Sequence, residues 1–391
     1  MLDRRTLVLG SLLLAGAMPS AHAAEGAGAV TLLPTPNGGI QPQAAVDSRG
    51  IVHLIYYKGD PQAGDVFYVR MMPGETRFSA PIQVNSRPGS AVSMGTIRGA
   101  QLAVGADDRV HVAWNGSDRA EPKGPGGNPM LYTHLNTAGT AFEPQRNLIT
   151  WAGGLDGGGT LAADRTGNVY VVWHGNPNRD GEENRAVYLA HSPDNGRTFA
   201  RERRINSVPT GVCGCCALRA FVDNAARVYV FYRAATAKIY RDMVLLTSSD
   251  KGATFTSRKV HPWNINACPM SSSSLTQTCA GVRAAWETKE QIYFADFPPD
   301  GAKFNGPPVP IVAPSGGAGA RKHPVVVANT GGQTLLAWTE GTGWSKGGAL
   351  AWQVYGPDGK LTAVQGRRPG VPVWGLLTAF ARPDGSFVLL Y

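Results

Sequence analysis

The chain has 391 residues, of which 43% are hydrophobic and 17% are charged, so it can bury a core and does not have the composition of a disordered chain. Its 49 glycines and 28 prolines favour many short strands joined by turns over long helices. The formal net charge is +9, but no run of lysines and arginines is interleaved with aromatic residues, so we do not expect nucleic-acid binding.

The first 23 residues have the pattern of an export signal. Arg4 and Arg5 precede a short apolar segment at 6–17, and a small-x-small site ends at Ala23. That apolar segment is too short to span a bilayer. We therefore expect cleavage after Ala23 and a periplasmic or secreted protein formed by one domain, 24–391, with no membrane span. The arginine pair also resembles a twin-arginine signal, and an ordinary secretory signal is the alternative.

One unit recurs along the rest of the chain. A strand of small residues ends in a polar turn, and a second strand then ends in an aromatic residue. Successive aromatic endings are 52–59 residues apart, and the strands show no helical periodicity, which predicts the blades of a β-propeller. The endings are Tyr56, Trp114, Trp173, Tyr232, Trp286, Trp338 and Tyr391.

The seven endings predict an all-β propeller of seven blades, each a four-stranded antiparallel sheet. In the third unit the last two strands are expected at 186–191 and around 203–206. The chain ends just after the second strand of its last unit, so we expect 29–34 to pair there and close the ring. Six blades, with the last hairpin packed differently, is the alternative.

Two turn segments share the pattern S-x-D-x-G-x-T-F in the same register of the repeat, and decayed copies lie at 139–142 and 300–304. The serine and aspartate side chains can bond turn amides, the glycine permits a positive φ, and the aromatic ring can pack under the blade. The residues that carry the pattern are Ser192, Asp194, Gly196 and Phe199, and Ser248, Asp250, Gly252 and Phe255.

This pattern is that of the Asp box, and the chain resembles the sialidase-like (BNR repeat) superfamily over nearly all of its expected mature length. The resemblance implies that both boxes are structural and lie opposite the binding face. It also implies that the binding face is formed by the connectors between blades and by the loops between second and third strands. The longest of these loops are 115–130, 174–185, 233–241 and 339–348.

Catalytic enzymes of the family use three arginines, a tyrosine–glutamate nucleophile and an aspartic acid. Where the first arginine is expected, this chain has Ile40-Gln41-Pro42. Arg98, Arg233 and Arg321 are candidate anion binders and Asp156 is a candidate acid, but no complete catalytic set can be assigned. A glycoside hydrolase of the exo-sialidase type is therefore the alternative function.

Four of the five cysteines fall in two neighbouring connectors, which the repeat register brings together near the axis. Thiolate, thioether and imidazole groups together suit copper, and thiolates with imidazole suit zinc, so one hypothesis is a metal or redox site. Its candidate residues are Cys213, Cys215, Cys216, Cys268, Met270 and His323. The other hypothesis is disulfide bonding, since export compartments are oxidising: Cys213 or Cys215 with Cys268, or an adjacent bridge between Cys215 and Cys216. Cys279 is expected to be a buried lone thiol inside a strand.

Tryptophans in the connectors and long loops suggest a third interpretation, a propeller that binds without catalysis. Aromatic rings stack on sugars or anchor peptides, and the alternative is that they pack between blades. The four candidates are Trp151, Trp263, Trp344 and Trp374. The sequence therefore predicts an exported propeller whose partner is a glycan, a peptide or a soft metal.

Overall fold

The computed structural model describes residues 28–95, 99–178, 180–298, 309–310 and 319–391. Within these ranges the chain is all-β, with short 3-10 turns at Pro36–Gly38, Ala106–Asp108 and Glu182–Asn184. No helix in this part of the chain is long and apolar enough to cross a membrane. The expected export signal, Arg98 and the decayed motif at 300–304 lie outside the described residues.

The strands form seven separate sheets, and successive sheets contain successive stretches of the chain. Blade one consists of β2 (Ile40–Val46), β3 (Val52–Lys58), β4 (Asp65–Met71) and β5 (Ile82–Gln83). Blade two consists of β6 (Gln101–Val104), β7 (Val110–Asn115), β8 (Met130–His134) and β9 (Arg146–Asn147). Blade three consists of β10 (Thr160–Ala163), β11 (Val169–Gly175), β12 (Ala186–Ser192) and β13 (Arg203–Arg204). Blade four consists of β14 (Arg219–Val222), β15 (Val228–Arg233), β16 (Met243–Ser248) and β17 (Thr256–His261). Blade five consists of β18 (Ser273–Thr278), β19 (Gly281–Thr288), β20 (Gln291–Phe297) and β21 (Val309–Pro310). Blade six consists of β22 (Arg321–Ala328), β23 (Thr334–Glu340), β24 (Gly348–Tyr355) and β25 (Leu361–Val371). Blade seven consists of β26 (Thr378–Ala381), β27 (Phe387–Leu390) and the first strand of the chain, β1 (Val30–Leu33).

The core lies between the blades. Six of the seven aromatic endings predicted from the repeat are no more than 1% exposed, whereas Tyr391 is half-buried. Trp173, for example, packs in one cluster with Ala113 and Tyr132 of the preceding blade. Burying a side chain of this size contributes about 2–3 kcal/mol, so each blade is stabilised chiefly by its neighbours.

The ring is closed by both ends of the described chain, as expected for 29–34, and the six-blade alternative is wrong. However, β1 pairs with β27 in parallel, from Val30 opposite Phe387 to Leu33 opposite Leu390, and blade seven has three strands. The expectation of an antiparallel four-stranded sheet is therefore wrong for this blade. The reason is that only residues 34–39 separate β1 from β2. Because this connection is short, the last residue of β1 must lie on the same side of the ring as the first residue of β2. β27 also finishes on that side, so the two strands run parallel.

Backbone bonds and apolar contacts both hold β1 in place. The amide of Phe387 donates to the Ala29 carbonyl at 2.7 Å, and the amide of Thr35 donates to the Tyr391 carbonyl at 2.8 Å. Val30 and Leu32 pack against the core between blades six and seven, and Leu33 against the core between blades seven and one. The first strand therefore contributes to two of the seven interblade cores.

The closing strand can be tested by comparing two truncated chains, one beginning at Gly28 and the other at Thr35. Losing three half-buried aliphatic side chains and the strand pairing should cost the shorter chain about 3 kcal/mol or more. Urea unfolding followed by fluorescence measures the difference. Equal unfolding midpoints for the two chains would show that β1 does not close the ring.

Candidate functional site at the mouth of the propeller

The seven inner strands, the first of each blade, surround the axis and line a cavity of about 1090 Å³ that extends towards the hairpin turns of the blades. We call the opposite end, where the inner strands begin, the mouth. Connectors between blades and long second-to-third-strand loops meet there. The amide of Cys213 donates to the Arg233 carbonyl at 2.9 Å, and the amide of Asp156 donates to His174 Nε2 at 3.1 Å. The mouth is thus where the expected binding loops lie.

The two cysteine-bearing connectors come together at the mouth, as the repeat register predicts. Cys215, before blade four, forms a disulfide with Cys268, before blade five. This confirms the expected bridge and identifies the cysteine of the first connector that forms it. The expectation for Cys279 is wrong: it is exposed, in the turn between β18 and β19, because β18 ends one residue earlier at Thr278.

Two further thiols lie beside the bridge and are buried. The sulfur of Cys213 is 3.3 Å from that of Cys216 and also 3.3 Å from that of Cys215. The three sulfur atoms lie within 4.8 Å of one another, which is the spacing of ligands around one metal ion. We refer to Cys213, Cys215, Cys216 and Cys268 as the cysteine cluster.

Charged side chains surround the two free thiols. The Arg233 guanidinium lies 3.7 Å from the Glu287 carboxylate, and both are buried. Arg241, also buried, pairs with Glu182 on the other side. Arg241, Glu182 and Glu287 were not among the site residues predicted from the sequence. Arg241 and Glu182 had one signal each, their places in the long loops 233–241 and 174–185, whereas Glu287 lies inside β19 and gave none.

The pKa values of the two thiols are shifted in opposite directions by their surroundings. Burial raises the pKa of Cys216, but the hydrogen bond from the Cys213 thiol and the nearby Arg233 guanidinium lower it to about 7. The same hydrogen bond, together with burial, raises the pKa of Cys213 well above its ordinary value. Negative charge is therefore favoured on Cys216 and disfavoured on Cys213.

Met270 and His323 adopt similar backbone conformations at the entrances to blades five and six. Both have left-handed φ angles, +48° and +51°, which side-chain-bearing residues rarely adopt. His323 is not part of the group of three sulfur atoms. Its Nδ1 faces Ser272 Oγ at 3.1 Å, and burial lowers its pKa to about 3. The structure thus brings the four cysteines among the six candidate ligands together, whereas His323 faces Ser272 instead.

The candidate anion-binding residues are engaged within the protein. Arg233 is 3% exposed and donates to the carbonyls of Arg241 and Glu287. Asp156, which was the candidate acid, forms an ion pair with Arg185 at 3.2 Å. Arg321 donates to Gln291 Oε1 at 2.8 Å. Arg233 is therefore held by contacts within the protein, and the described residues do not present a set of arginines to a substrate carboxylate.

The four tryptophans divide between packing and exposure. Trp263 is buried, with the Arg233 guanidinium 4.9 Å from its ring centre, and Trp151 packs edge-on against Tyr188 at 5.2 Å. Trp344 is 48% exposed, and its carbonyl accepts a hydrogen bond from the indole of Trp374. The packing interpretation therefore holds for Trp263. Trp151 is 38% exposed despite its contact with Tyr188, so it joins Trp344 and the half-buried Trp374 in offering aromatic surface at the mouth.

The two turn motifs lie at the other end of the ring, between the third and fourth strands of blades three and four. Ser192 Oγ donates to Asp194 Oδ1 at 2.7 Å and accepts the Gly196 amide at 2.9 Å. The Thr198 amide donates to the same carboxylate oxygen at 2.9 Å. Ser248 and Asp250 make the matching bonds in blade four: Ser248 Oγ donates to Asp250 Oδ1 at 2.7 Å, and the Gly252 amide donates to Ser248 Oγ at 2.9 Å.

Comparison with known proteins shows the fold. No protein-family profile and no curated protein sequence matches the chain. Among solved structures it is similar to a Dyadobacter fermentans protein of unknown function (14% identity, TM-score 0.53, covering 85% of this chain and 95% of that one). It is also similar to a Penicillium chrysogenum α-L-arabinanase complexed with arabinobiose (12% identity, TM-score 0.53, covering 82% of this chain and 94% of that one). A third similar structure is a Hadza microbial sialidase (11% identity, TM-score 0.51, covering 84% of this chain and 74% of that one). The chain therefore has the sialidase-like β-propeller fold.

The structural role expected of the turn motifs can be tested at Asp194. Replacing it by alanine leaves the Thr198 amide and hydroxyl without their acceptor, so stability should fall by about 1 kcal/mol. Asp118→Ala, an exposed aspartate at the mouth, is the matched control and should unfold like the unmodified chain. Thermal unfolding measures both. Unchanged stability of Asp194→Ala would remove the structural assignment.

The bridge between the two connectors closes a loop of 53 residues. Reducing it, or replacing Cys268 by serine, should destabilise the chain by about 2–4 kcal/mol, chiefly by freeing the unfolded state. Peptide mapping without reductant should recover the Cys215 and Cys268 peptides joined. Cys279→Ser is the control. Recovery of both peptides as free thiols from oxidised protein would contradict the pairing.

Proposed function

We propose that the chain is an exported propeller that binds a soft monovalent metal ion, of the Cu(I) class, through Cys213 and Cys216. The observation that carries the proposal is that both thiols are buried, 3.3 Å apart and beside a third sulfur. Thiolates are the ligands that Cu(I) prefers, and burial excludes water from them. Export and a periplasmic or secreted location form part of the proposal, supported by the pattern of the first 23 residues.

The bridge favours copper over zinc. With Cys215 bound to Cys268, two thiols of the cysteine cluster are free to ligate. Structural zinc sites need four protein ligands, whereas a soft monovalent ion is satisfied by fewer. Reduction of the bridge would add two thiols, with Met270 two residues beyond Cys268. The state of the bridge therefore sets how many sulfur ligands the mouth offers.

Charge supports metal binding in the same place. Arg233 lowers the pKa of the Cys216 thiol, Arg241 opposes the rise in the pKa of Cys213, and Glu287 and Glu182 balance these arginines in turn. A ligand must be deprotonated to bind a metal ion, so thiols already held near a positive charge lose less on binding. A pair of buried thiols with a purely structural role would not need arginines beside the sulfur atoms.

Glycan binding is the second candidate, and the exposed Trp344 with its partner Trp374 favours it. Aromatic surfaces of this kind stack on sugar rings. Two proteins with a similar fold are an arabinanase and a sialidase. A hydrolase would need carboxylates and free arginines facing one cleft, and the engagement of Arg233 and Asp156 speaks against that use of the mouth.

Competition against a Cu(I)-specific chromophoric chelator tests the metal proposal on untagged protein. The unmodified chain and Cys279→Ser should each bind one equivalent of Cu(I). Cys213→Ser and Cys216→Ser should each lose it, because neither leaves two free thiols within ligating distance. X-ray absorption of the loaded protein should report sulfur ligands only.

The proposal is wrong if the unmodified chain binds no copper, or if both serine variants keep the full equivalent. Circular dichroism and thermal unfolding of each variant show whether a loss of binding reflects a loss of fold. Zinc, tested alongside, should bind only after reduction of the bridge.

A further inference from the structure

A small chamber lies on the axis at the mouth, apart from the cysteine cluster. Its volume is about 90 Å³, and it is lined from the entrances of six blades. Its polar side chains include Gln43, Gln101, Arg219, Ser273 and His323. Among the described residues that line it, none is acidic. We call this space the axial chamber.

Arg219 carries the only formal charge among those described lining residues and forms part of the wall between two cavities. It lines both the axial chamber and the larger axial cavity behind it. Its guanidinium donates to Gln101 Oε1, and that oxygen also accepts from Gln43 Nε2 at 2.9 Å. Within the described part of the chain Arg219 has no carboxylate partner, unlike Arg233 and Arg241. Burial lowers its pKa to about 10, with no compensating charge.

Two further donors on the chamber wall have no partner. Ser273 Oγ and His323 Nε2 make no hydrogen bond within the described residues, and their residues are only 8% and 2% exposed. Because Nδ1 of His323 can accept from the Ser272 hydroxyl, the proton of the neutral ring is left on Nε2. Buried donors without partners cost free energy unless a bound water or ion accepts from them.

We propose that the axial chamber binds one small monovalent anion, of the size of a halide or formate, between Arg219, Ser273 and His323. The three groups supply one full positive charge and two neutral donors from three different blades. A single guanidinium balances one negative charge, which disfavours dianions such as sulfate. This site is independent of the metal proposal, because it shares no residue with the cysteine cluster.

The volume agrees with this choice of ligand. A water molecule occupies about 30 Å³ of liquid, so a chamber of about 90 Å³ holds a halide ion with one or two waters. One of these waters can donate to Gln41 Oε1, a buried acceptor that lines the chamber and lacks a partner within the described residues. The bound anion would link the entrances of blades four, five and six, and so resist opening of the ring.

Chloride and bromide, compared with gluconate at equal ionic strength, are the probes. Gluconate is too large for the chamber. The melting temperature of the unmodified chain should rise with chloride and saturate, as expected for one site. Arg219→Gln should lose this response, with an apparent affinity at least about tenfold weaker, as for loss of a charge-assisted hydrogen bond. Arg77→Gln removes the same charge from the exposed surface and should respond like the unmodified chain.

Crystals soaked in bromide give a second readout that does not depend on any variant folding. An anomalous peak in the axial chamber, within hydrogen-bonding distance of Arg219 and His323, is expected. Chamber density without an anomalous peak, or equal chloride responses for the unmodified chain and Arg219→Gln, would overturn the proposal. Ser273→Ala should weaken the response and leave the bromide peak in place.

Discussion

The parallel pairing of β1 with β27 is the contact on which the rest of the structure depends. Each blade is apolar on both faces, so it is stable only between two others. Six blades are continuous in the chain, but the seventh exists only because Val30–Leu33 adds to the C-terminal hairpin. Without this strand, the apolar surfaces that flank blade seven would be open to water. The first and last strands therefore convert a row of sheets into a closed ring.

Closure also creates the mouth. In a ring of this kind every inner strand begins at the same end, so each connector enters close to the axis. Cys215 and Cys268 are 53 residues apart in sequence but occupy neighbouring entrances, and their bridge follows from the repeat length. Arg219, Ser273 and His323 converge for the same reason, one from each of three successive entrances. Distant residues thus meet at the mouth because the period of the repeat places them there.

The repeat was readable from sequence because its signals are local: period, alternation and an aromatic ending. These gave seven blades, the closing segment and the meeting of the two cysteine connectors. The direction of β1 was not readable, because it depends on where β2 begins. The surroundings of His323 were hidden for a different reason. A left-handed residue and a shift of strand register at Lys322/Val325 interrupt the alternation on which side-chain direction is judged. Arg233 was a candidate anion binder, and its buried partner Glu287 could not be identified because it belongs to the next blade.

The two polar regions at the mouth differ in how their charges are balanced. Around the cysteine cluster each buried arginine has a glutamate partner, so these charges balance and the two free thiols are the remaining ionisable groups. Two thiolates with a monovalent metal ion would carry one negative charge and with a divalent ion none, so charge alone does not select the metal. Around Arg219 the described residues supply no such partner, so the axial chamber keeps a positive charge. Because both regions lie in low-dielectric surroundings, charge balance favours a small monovalent anion beside Arg219, whereas at the sulfurs Cu(I) is favoured by the softness and number of the thiolate ligands.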